Sequence, residues 1–143
     1  MNRKEYLEYV AHFNKKEFDK VASYFTPDVT VEYPDNFFGK DETPNTLHGP
    51  KEFIKNYQDI TENTKEVLEV GAYMYDNKQA FVELYTEFIT FKDSAPGIKR
   101  VAKKGDVRIM TNWVLYDFDD KGKMKRIRIA HFRNHDPKTA KYK

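Results

Sequence analysis

The stretch that decides the fold runs from Tyr9 to Pro34 and reads YVAHFNKKEFDKVASYFTPDVTVEYP. Its first part carries apolar side chains three and four positions apart, a spacing that predicts two short amphipathic helices. Its last part alternates, so that Val29, Val31 and Tyr33 share one face of a strand that ends at Pro34. Two helices leading into one strand build one wall of a pocket, and we expect Tyr9 and Tyr33 to face into it.

Two helix starts are indicated by local signals. Asn14 is followed three residues later by Glu17, the spacing of a capping box, which predicts that Asn14 caps the second helix. Gly49-Pro50 predicts the start of a third helix because proline suits the first helical turn. The inner face of that third helix is expected to carry Phe53, Ile54 and Tyr57.

The rest of the chain is typical of long antiparallel strands. From about Lys65 onward, alternating segments separated by short polar turns predict four strands, over residues 67–75, 79–91, 107–118 and 123–133. The polar segment from residue 35 to 46 is expected to be a loop over the mouth of the pocket. Three helices followed mainly by strands predict an α+β fold in which a curved antiparallel sheet wraps the helices.

Composition limits the classes of function. A chain of 143 residues is most simply one domain, which we expect over residues 1–136, followed by a basic tail over residues 137–143. The 25 basic and 23 acidic residues nearly cancel, which argues against a nucleic-acid partner, so the basic runs at 99–104 and 138–143 are interpreted as solvated loops and frayed ends. The chain has no cysteine and no apolar run long enough for a bilayer or a signal peptide, which favours a cytoplasmic protein without a membrane partner.

The order of elements resembles a known family. Helix, helix, strand, helix and then four strands, together with LHGPKEFI at 47–54 and GKMKRI at 122–127, is similar to the SnoaL-like branch of the nuclear transport factor 2-like superfamily. The resemblance implies a cone-shaped, cystatin-like α+β roll with a small-molecule pocket at its open end. Members of the superfamily include ketosteroid isomerases, dehydratases, polyketide cyclases and epoxide hydrolases, and the fold alone does not choose among these activities.

The residues from Tyr9 to Pro34 also resemble the corresponding part of ketosteroid isomerase. This resemblance implies that Tyr9 is an oxyanion-hole donor and that Tyr57 is a tyrosine that hydrogen-bonds to it. A phenol suits that role because its ordinary pKa of about 10 keeps it protonated at neutral pH. The general-base aspartate of the isomerase falls at Tyr33, however, and its second aspartate falls at or near Val114, which argues against steroid-type proton shuttling.

Strand alternation selects further pocket candidates on the last two strands. With Tyr33 and Val114 facing inward, one inward row contains Asn112 and Tyr116, and the other contains Ile127, Ile129 and His131. His131 is either an acid or base near neutral pH or a hydrogen-bonded histidine at the rim of the sheet. Asn112 either orients a ligand oxygen or pairs with loop backbone.

Histidines elsewhere give weaker signals. His48 precedes the turn into the third helix, and it is either a backbone-holding residue or a pocket residue. The four histidines show no helical i, i+4 pair and no cysteine partners, so we expect neither a metal nor another cofactor.

The strand at 79–91 offers two faces for the pocket. The more apolar set, from Ala80 to Phe88 in steps of two, is expected to face inward, because an unpaired carboxylate is costly to bury. This choice leaves Phe81, Glu83, Tyr85 and Glu87 on the convex face, where exposed aromatic residues suggest a homodimer interface.

Two functions of different classes remain open. In the first, Tyr9, Asn112 and His131 act on a carbonyl or hydroxyl of a hydrophobic compound, in a cofactor-independent isomerase, dehydratase or cyclase. In the second, the protein is a non-catalytic module that binds a hydrophobic small molecule or pairs with a protein through its sheet. A histidine or carboxylate close to a tyrosine hydroxyl inside a closed pocket would favour the enzyme.

Overall fold

The computed structural model describes residues 1–33, 45–97 and 101–143. Three α-helices cover Arg3–Asn14 (α1), Phe18–Ala22 (α2) and Gly49–Thr61 (α3). Six strands cover Phe25–Tyr33 (β1), Asn45–His48 (β2), Thr64–Tyr75 (β3), Gln79–Thr90 (β4), Val107–Phe118 (β5) and Met124–His135 (β6), and a short 3₁₀ helix covers Pro137–Thr139. Most of the predicted loop from residue 35 to 46 lies outside the described residues, as do Lys99 and Arg100 of the first basic run.

All six strands form one sheet in the order β2-β1-β6-β5-β4-β3. Neighbouring strands are antiparallel except β1 and β6, which run parallel with Val31 opposite Ile127. The α+β fold is confirmed, whereas the prediction of a wholly antiparallel sheet needs this correction. Strand β2 was not predicted; it adds a short outer strand to β1, with Leu47 opposite Val31.

Helix α1 begins at a capping box that lies twelve residues before the predicted one. The Glu5 backbone N–H donates to the Asn2 side chain at 2.9 Å, and the Asn2 backbone N–H donates to the Glu5 carboxylate at 2.7 Å. The prediction that Asn14 caps the second helix is wrong. Asn14 instead pairs its side-chain amide with both backbone groups of Leu68, at 2.9 Å each, and so fastens the end of α1 to β3.

Irregular pairing bends the sheet around the helices. The register shifts once in the β3–β4 pair, once in the β1–β6 pair and twice in the β5–β6 pair, and such bulges increase the local twist of a sheet. In β3 the shift falls at Gly71, where a Cβ atom would lie 3.2 Å from a carboxylate oxygen of Glu83. Helix α1 packs on β3 and helix α3 packs on β1, so both helices cover the concave face.

The two faces of β4 are assigned as predicted from their polarity. Ala80, Val82 and Leu84 are buried in the core with the helices, while Phe81, Glu83 and Tyr85 lie on the opposite, convex face. Glu87 shares that convex face but is fully buried. Its burial shows that part of the convex face is covered.

The cover is the C-terminal tail, which was expected to be a frayed end. The backbone N–H groups of Lys141 and Tyr142 donate to the Glu87 carboxylate at 2.9 and 3.1 Å, and the Tyr85 hydroxyl donates to it at 2.7 Å. The Lys141 ammonium and the Tyr142 hydroxyl both reach Glu69, at 2.7 and 2.8 Å. The tail is therefore docked on the sheet, because its backbone and side chains have carboxylate partners there.

Candidate functional site

One cavity opens between the concave face of the sheet and the helices, with a volume of about 80 Å³. A buried water needs roughly 10–15 Å³ of such space, so the cavity has room for a small organic molecule. Most of its lining is apolar or aromatic. The residues that the sequence predicted for this site and that do line the cavity are Tyr9, Tyr33, Tyr57, Asn112, Val114, Tyr116, Ile127 and Ile129.

These residues come together from separate elements. Tyr9 is held by the buried face of α1, and Tyr57 by the buried face of α3. The sheet supplies the other predicted wall residues from β1, β5 and β6, in the alternating rows expected from strand geometry. The pocket is thus built from the packing of helices onto the sheet rather than from a single loop.

Two phenols form a pair inside the cavity. The hydroxyl oxygens of Tyr33 and Tyr57 are 2.5 Å apart, and Tyr57 is buried between Phe53 and Phe13, with ring centroids 4.6 and 5.0 Å away. Burial raises the pKa of Tyr57 well above its ordinary value, and the Tyr33 phenol and the Glu66 charge raise it further. Tyr57 is therefore held protonated and available as a hydrogen-bond donor.

Tyr9 and Tyr116 add two further phenols to the same cavity. Burial raises the pKa of Tyr9 well above its ordinary value, and the neighbouring phenols of Tyr116 and Tyr33 raise it further. Tyr116 shares a 2.7 Å hydrogen bond with the hydroxyl of Tyr6, behind the cavity wall. Burial also raises the pKa of Tyr116, so the site is a cluster of neutral phenols in an apolar setting.

Asn112 supplies the amide of the site. Its side-chain oxygen is buried and has no hydrogen-bond partner within the described part of the chain. A buried amide oxygen without a partner costs free energy, and a ligand hydroxyl in the cavity would supply the missing donor.

The two predicted histidines are placed differently. His131 lies opposite Asn112 across the β5–β6 pair and is half-buried, but its side chain is not part of the cavity lining. The strand register shifts between Thr111 and Asn112, next to the Asn112–His131 pair. Because a bulge interrupts the alternation of side chains, the inward direction of Ile127 and Ile129 does not extend simply to His131. The catalytic role of His131 stays a prediction.

His48 is not brought to the cavity. It is exposed at the residue before α3, and its backbone N–H donates to the Glu52 side chain at 3.1 Å. This local contact fits the alternative in which the residue belongs to the turn. A role for His48 in the pocket stays a prediction.

Glu66 was missed as a site residue. It lies on β3, is only 9 % exposed, and lines the cavity beside Leu68. The signal for it was present, because Glu66 alternates with Leu68 and Val70 on one face of a strand that carries an apolar inward row. It is the acidic side chain of the cavity wall among the residues that the structure describes.

Within residues 1–33, 45–97 and 101–143, no group of three or more His, Asp or Glu side chains is arranged to hold a metal ion. No helix in these ranges has the length and apolar character needed to cross a bilayer.

The chain belongs to the SnoaL-like family, since the sequence profile of the SnoaL-like domain matches residues 6–127. This match covers the helices α1 to α3 and the strands up to the first residues of β6, and so includes most of the cavity. No match was found among curated protein sequences.

Solved structures share the fold at low sequence identity. One of them is the epoxide hydrolase/cyclase-like enzyme SalBIII, described in pyran ring formation in the polyether salinomycin. It is 20% identical to this chain, with a TM-score of 0.64, and the match covers 91% of this chain and 90% of SalBIII. An NTF2-like protein of unknown function from Burkholderia pseudomallei is 14% identical to this chain, with a TM-score of 0.69. The match covers 90% of this chain and 88% of that protein. A SnoaL-like polyketide cyclase from Agrobacterium tumefaciens is 16% identical to this chain, with a TM-score of 0.62. The match covers 90% of this chain and 88% of that protein.

Proposed function

We propose that this protein binds a hydrophobic carbonyl or hydroxyl compound in its cavity and acts on it as a cofactor-independent isomerase, dehydratase or cyclase. The observation that carries the proposal is that Tyr9, Tyr33, Tyr57 and Asn112 line one otherwise apolar cavity. A cytoplasmic location is part of the proposal and rests on the sequence.

The chemistry follows from the phenols. The hydroxyls of Tyr33 and Tyr57 share one hydrogen bond, and both phenols line the cavity in which a ligand oxygen would lie. A donor fixed in an apolar cavity stabilises negative charge that develops on this oxygen more strongly than water does, because it needs no reorientation. Such a site favours reactions that pass through an enolate or alkoxide.

The similar structures support a small-molecule pocket. SalBIII is an epoxide hydrolase/cyclase-like enzyme, and another protein of the same fold, TerC, was co-crystallised with polyporic acid, at 14% identity and a TM-score of 0.66 over 90% of this chain and 89% of that chain. These likenesses agree with a pocket for oxygen-bearing organic molecules. The choice of reaction rests on the residues of this chain.

Binding of para-nitrophenol in its neutral form tests the proposal, since this probe is small, aromatic and oxygen-bearing, and its absorbance reports its environment. Tyr57→Phe should weaken binding about tenfold, the equivalent of one hydrogen bond of about 1.4 kcal/mol. The measurement is a spectrophotometric titration of each purified protein with the probe.

Tyr75→Phe is the matched control, because Tyr75 is 53% exposed at the end of β3 and is not part of the cavity lining. Its affinity for the probe should equal that of the wild type. Equal affinities for Tyr57→Phe and the wild type, or no saturable binding by the wild type, would contradict the proposed pocket.

A non-catalytic ligand-binding or dimeric protein-interaction module is the second candidate. It is favoured by an aromatic cluster on the convex face, formed by the half-buried Phe81 and by Trp113 and Phe132. The rings of Trp113 and Phe132 stack with centroids 4.1 Å apart. Trp113 is 38% exposed and Phe132 is 45% exposed. We propose this aromatic cluster as the contact of a homodimer, which is compatible with either function.

A further inference from the structure

We propose that the Glu66 carboxylate is the proton acceptor of this cavity, taking a proton from the carbon next to a ligand carbonyl group whose oxygen Tyr57 and Tyr33 hold. The inference deepens the proposed function and rests on it.

The position of Glu66 in the sheet supports this role. Tyr33 lies on β1 and Glu66 on β3, and three strands separate these two in the sheet order. The sheet is curved, so both side chains line the same cavity, with Tyr57 reaching it from α3. A ligand in the cavity would therefore have phenol donors and a carboxylate acceptor on different sides of it.

Burial of Glu66 gives the second argument. Glu66 is 9 % exposed and lines a mainly apolar cavity, in which a charged group loses much of its hydration. Carboxylates in such cavities are candidates for acid-base function.

Electrostatics agree with the geometry. The charge of Glu66 is one of the causes that raise the pKa of Tyr57, which means that the carboxylate and the phenol interact across the cavity. Glu87, the other strongly buried carboxylate of the described chain, lies on the convex face under the C-terminal tail and has no access to the cavity.

The step is balanced without a cofactor. For a ketone, Glu66 takes a proton from the α-carbon, the C–H electron pair becomes the new C=C bond, and the carbonyl π electrons move to the oxygen. The enolate oxygen accepts hydrogen bonds from the phenols. The Glu66 carboxylic acid then returns a proton to carbon, and in heavy water it returns a deuteron after exchange with the solvent.

Deuterium exchange into the α-positions of cyclohexanone in heavy water, followed by proton NMR, tests this step. The wild type should accelerate exchange over buffer, and Glu66→Gln should lower the enzyme-dependent rate about 100-fold, the usual scale of a general base. Glu66→Asp should keep part of the rate, because it keeps a carboxylate. Glu62→Gln, at an exposed position after α3, should exchange as the wild type does.

A binding measurement separates this inference from the proposed function. Glu66→Gln should bind the para-nitrophenolate anion about tenfold more tightly than the wild type, because a like charge is removed from the cavity. The role of Glu66 would be overturned if the Glu66→Gln protein exchanged deuterium as fast as the wild type. It would also be overturned if the wild type bound the probe but exchanged no faster than buffer alone. Absence of probe binding by the wild type would instead overturn the proposed function.

Discussion

At the scale of single residues, the core is notable for its tyrosines. Tyr6, Tyr9, Tyr57 and Tyr116 are all buried, and burial is the main cause that raises the pKa of each phenol well above its ordinary value. Tyr73 stacks on Tyr6 at a centroid distance of 4.9 Å, and burial raises its pKa to about 12. Because these phenols keep their protons in the folded state, the free energy of unfolding depends on pH in the alkaline range.

The free energy of unfolding should therefore fall as the pH rises above about 10, the ordinary pKa of tyrosine. In that range the unfolded chain loses phenol protons that the folded chain still holds. The stability that these groups contribute is therefore complete below about pH 10 and is lost as the pH rises through the raised pKa of each phenol, which for Tyr73 is about 12. Urea unfolding followed by the fluorescence of Trp113, at several pH values between about 8 and 12, measures this fall.

Tyr73→Phe provides the comparison, because it removes one of the titrating groups and should make the fall less steep. An ultraviolet titration of the folded protein should also show most buried tyrosines resisting ionisation at about pH 10. A stability that stays constant up to about pH 11 would contradict the assignment.

The direction of individual side chains follows from local alternation on the last two strands. Val114 and Tyr116 on β5, and Ile127 and Ile129 on β6, line the cavity because alternate side chains of a strand share a face. Asn14 was misassigned because Asn14 and Glu17 have the spacing of a capping box, while the partner that Asn14 binds, Leu68, is 54 residues away.

At the scale of elements, the C-terminal tail is held to β3 and β4 by two carboxylates. Burial alone would raise the pKa of Glu87, but the N–H groups of Lys141 and Tyr142 and the Tyr85 hydroxyl outweigh it and hold the pKa below its usual range. The hydrogen bond from Lys141 is the main cause that lowers the pKa of Glu69. The tail contacts therefore stabilise the folded protein above the ordinary pKa of a glutamate, and this contribution is lost as the pH falls through the lowered values.

Removal of residues 141–143 should destabilise the protein by about 1–2 kcal/mol at neutral pH. The cost is moderate because water can hydrate Glu87 once the tail has gone. Equilibrium unfolding in urea of the full-length and shortened proteins measures the difference, which should shrink in acid as both carboxyls become protonated.

Removal of Lys143 alone is the matched control, because the contacts described above are made by Lys141 and Tyr142. In a Glu87→Gln background, the cost of the truncation should be smaller than in the wild type, as a double-mutant cycle requires of groups in contact. Equal costs in both backgrounds would show that Glu87 does not hold the tail.

The elements themselves were largely predictable, and the pairing of elements was less so. The long strands follow from alternation, and α3 begins at Gly49 as its glycine-proline signal predicts. The short strand β2, the parallel pairing of β1 with β6 and the docked tail depend on partners distant in sequence. No local pattern of the residues from Asn45 to His48 distinguishes a four-residue strand from a loop.

At the scale of the whole molecule, the convex face has a covered part and an uncovered part. The tail occupies the part around Glu87, while Trp113 and Phe132 of the aromatic cluster stay exposed. A homodimer formed through this face would therefore place the aromatic cluster, and not the tail site, at its contact.

Trp113→Ser combined with Phe132→Ser should shift the protein from dimer to monomer, since buried aromatic residues supply much of the energy of an interface. Sedimentation equilibrium over a range of concentrations measures the change. Leu7→Ser, at a residue of α1 that is 44% exposed, should leave the association unchanged. A wild-type protein that sediments as a monomer at all concentrations would rule out this interface.

The parallel pairing of β1 with β6 carries a consequence for how the chain folds. The salt bridge between Glu32 and Arg126 joins residues 94 positions apart, and β1 cannot take its place in the sheet before β6 exists. During synthesis on the ribosome, the edge of β1 that pairs with β6 therefore stays unpaired until most of the chain has been made. Contacts so distant in sequence slow folding, and they leave this strand edge exposed to chaperones or aggregation in the meantime.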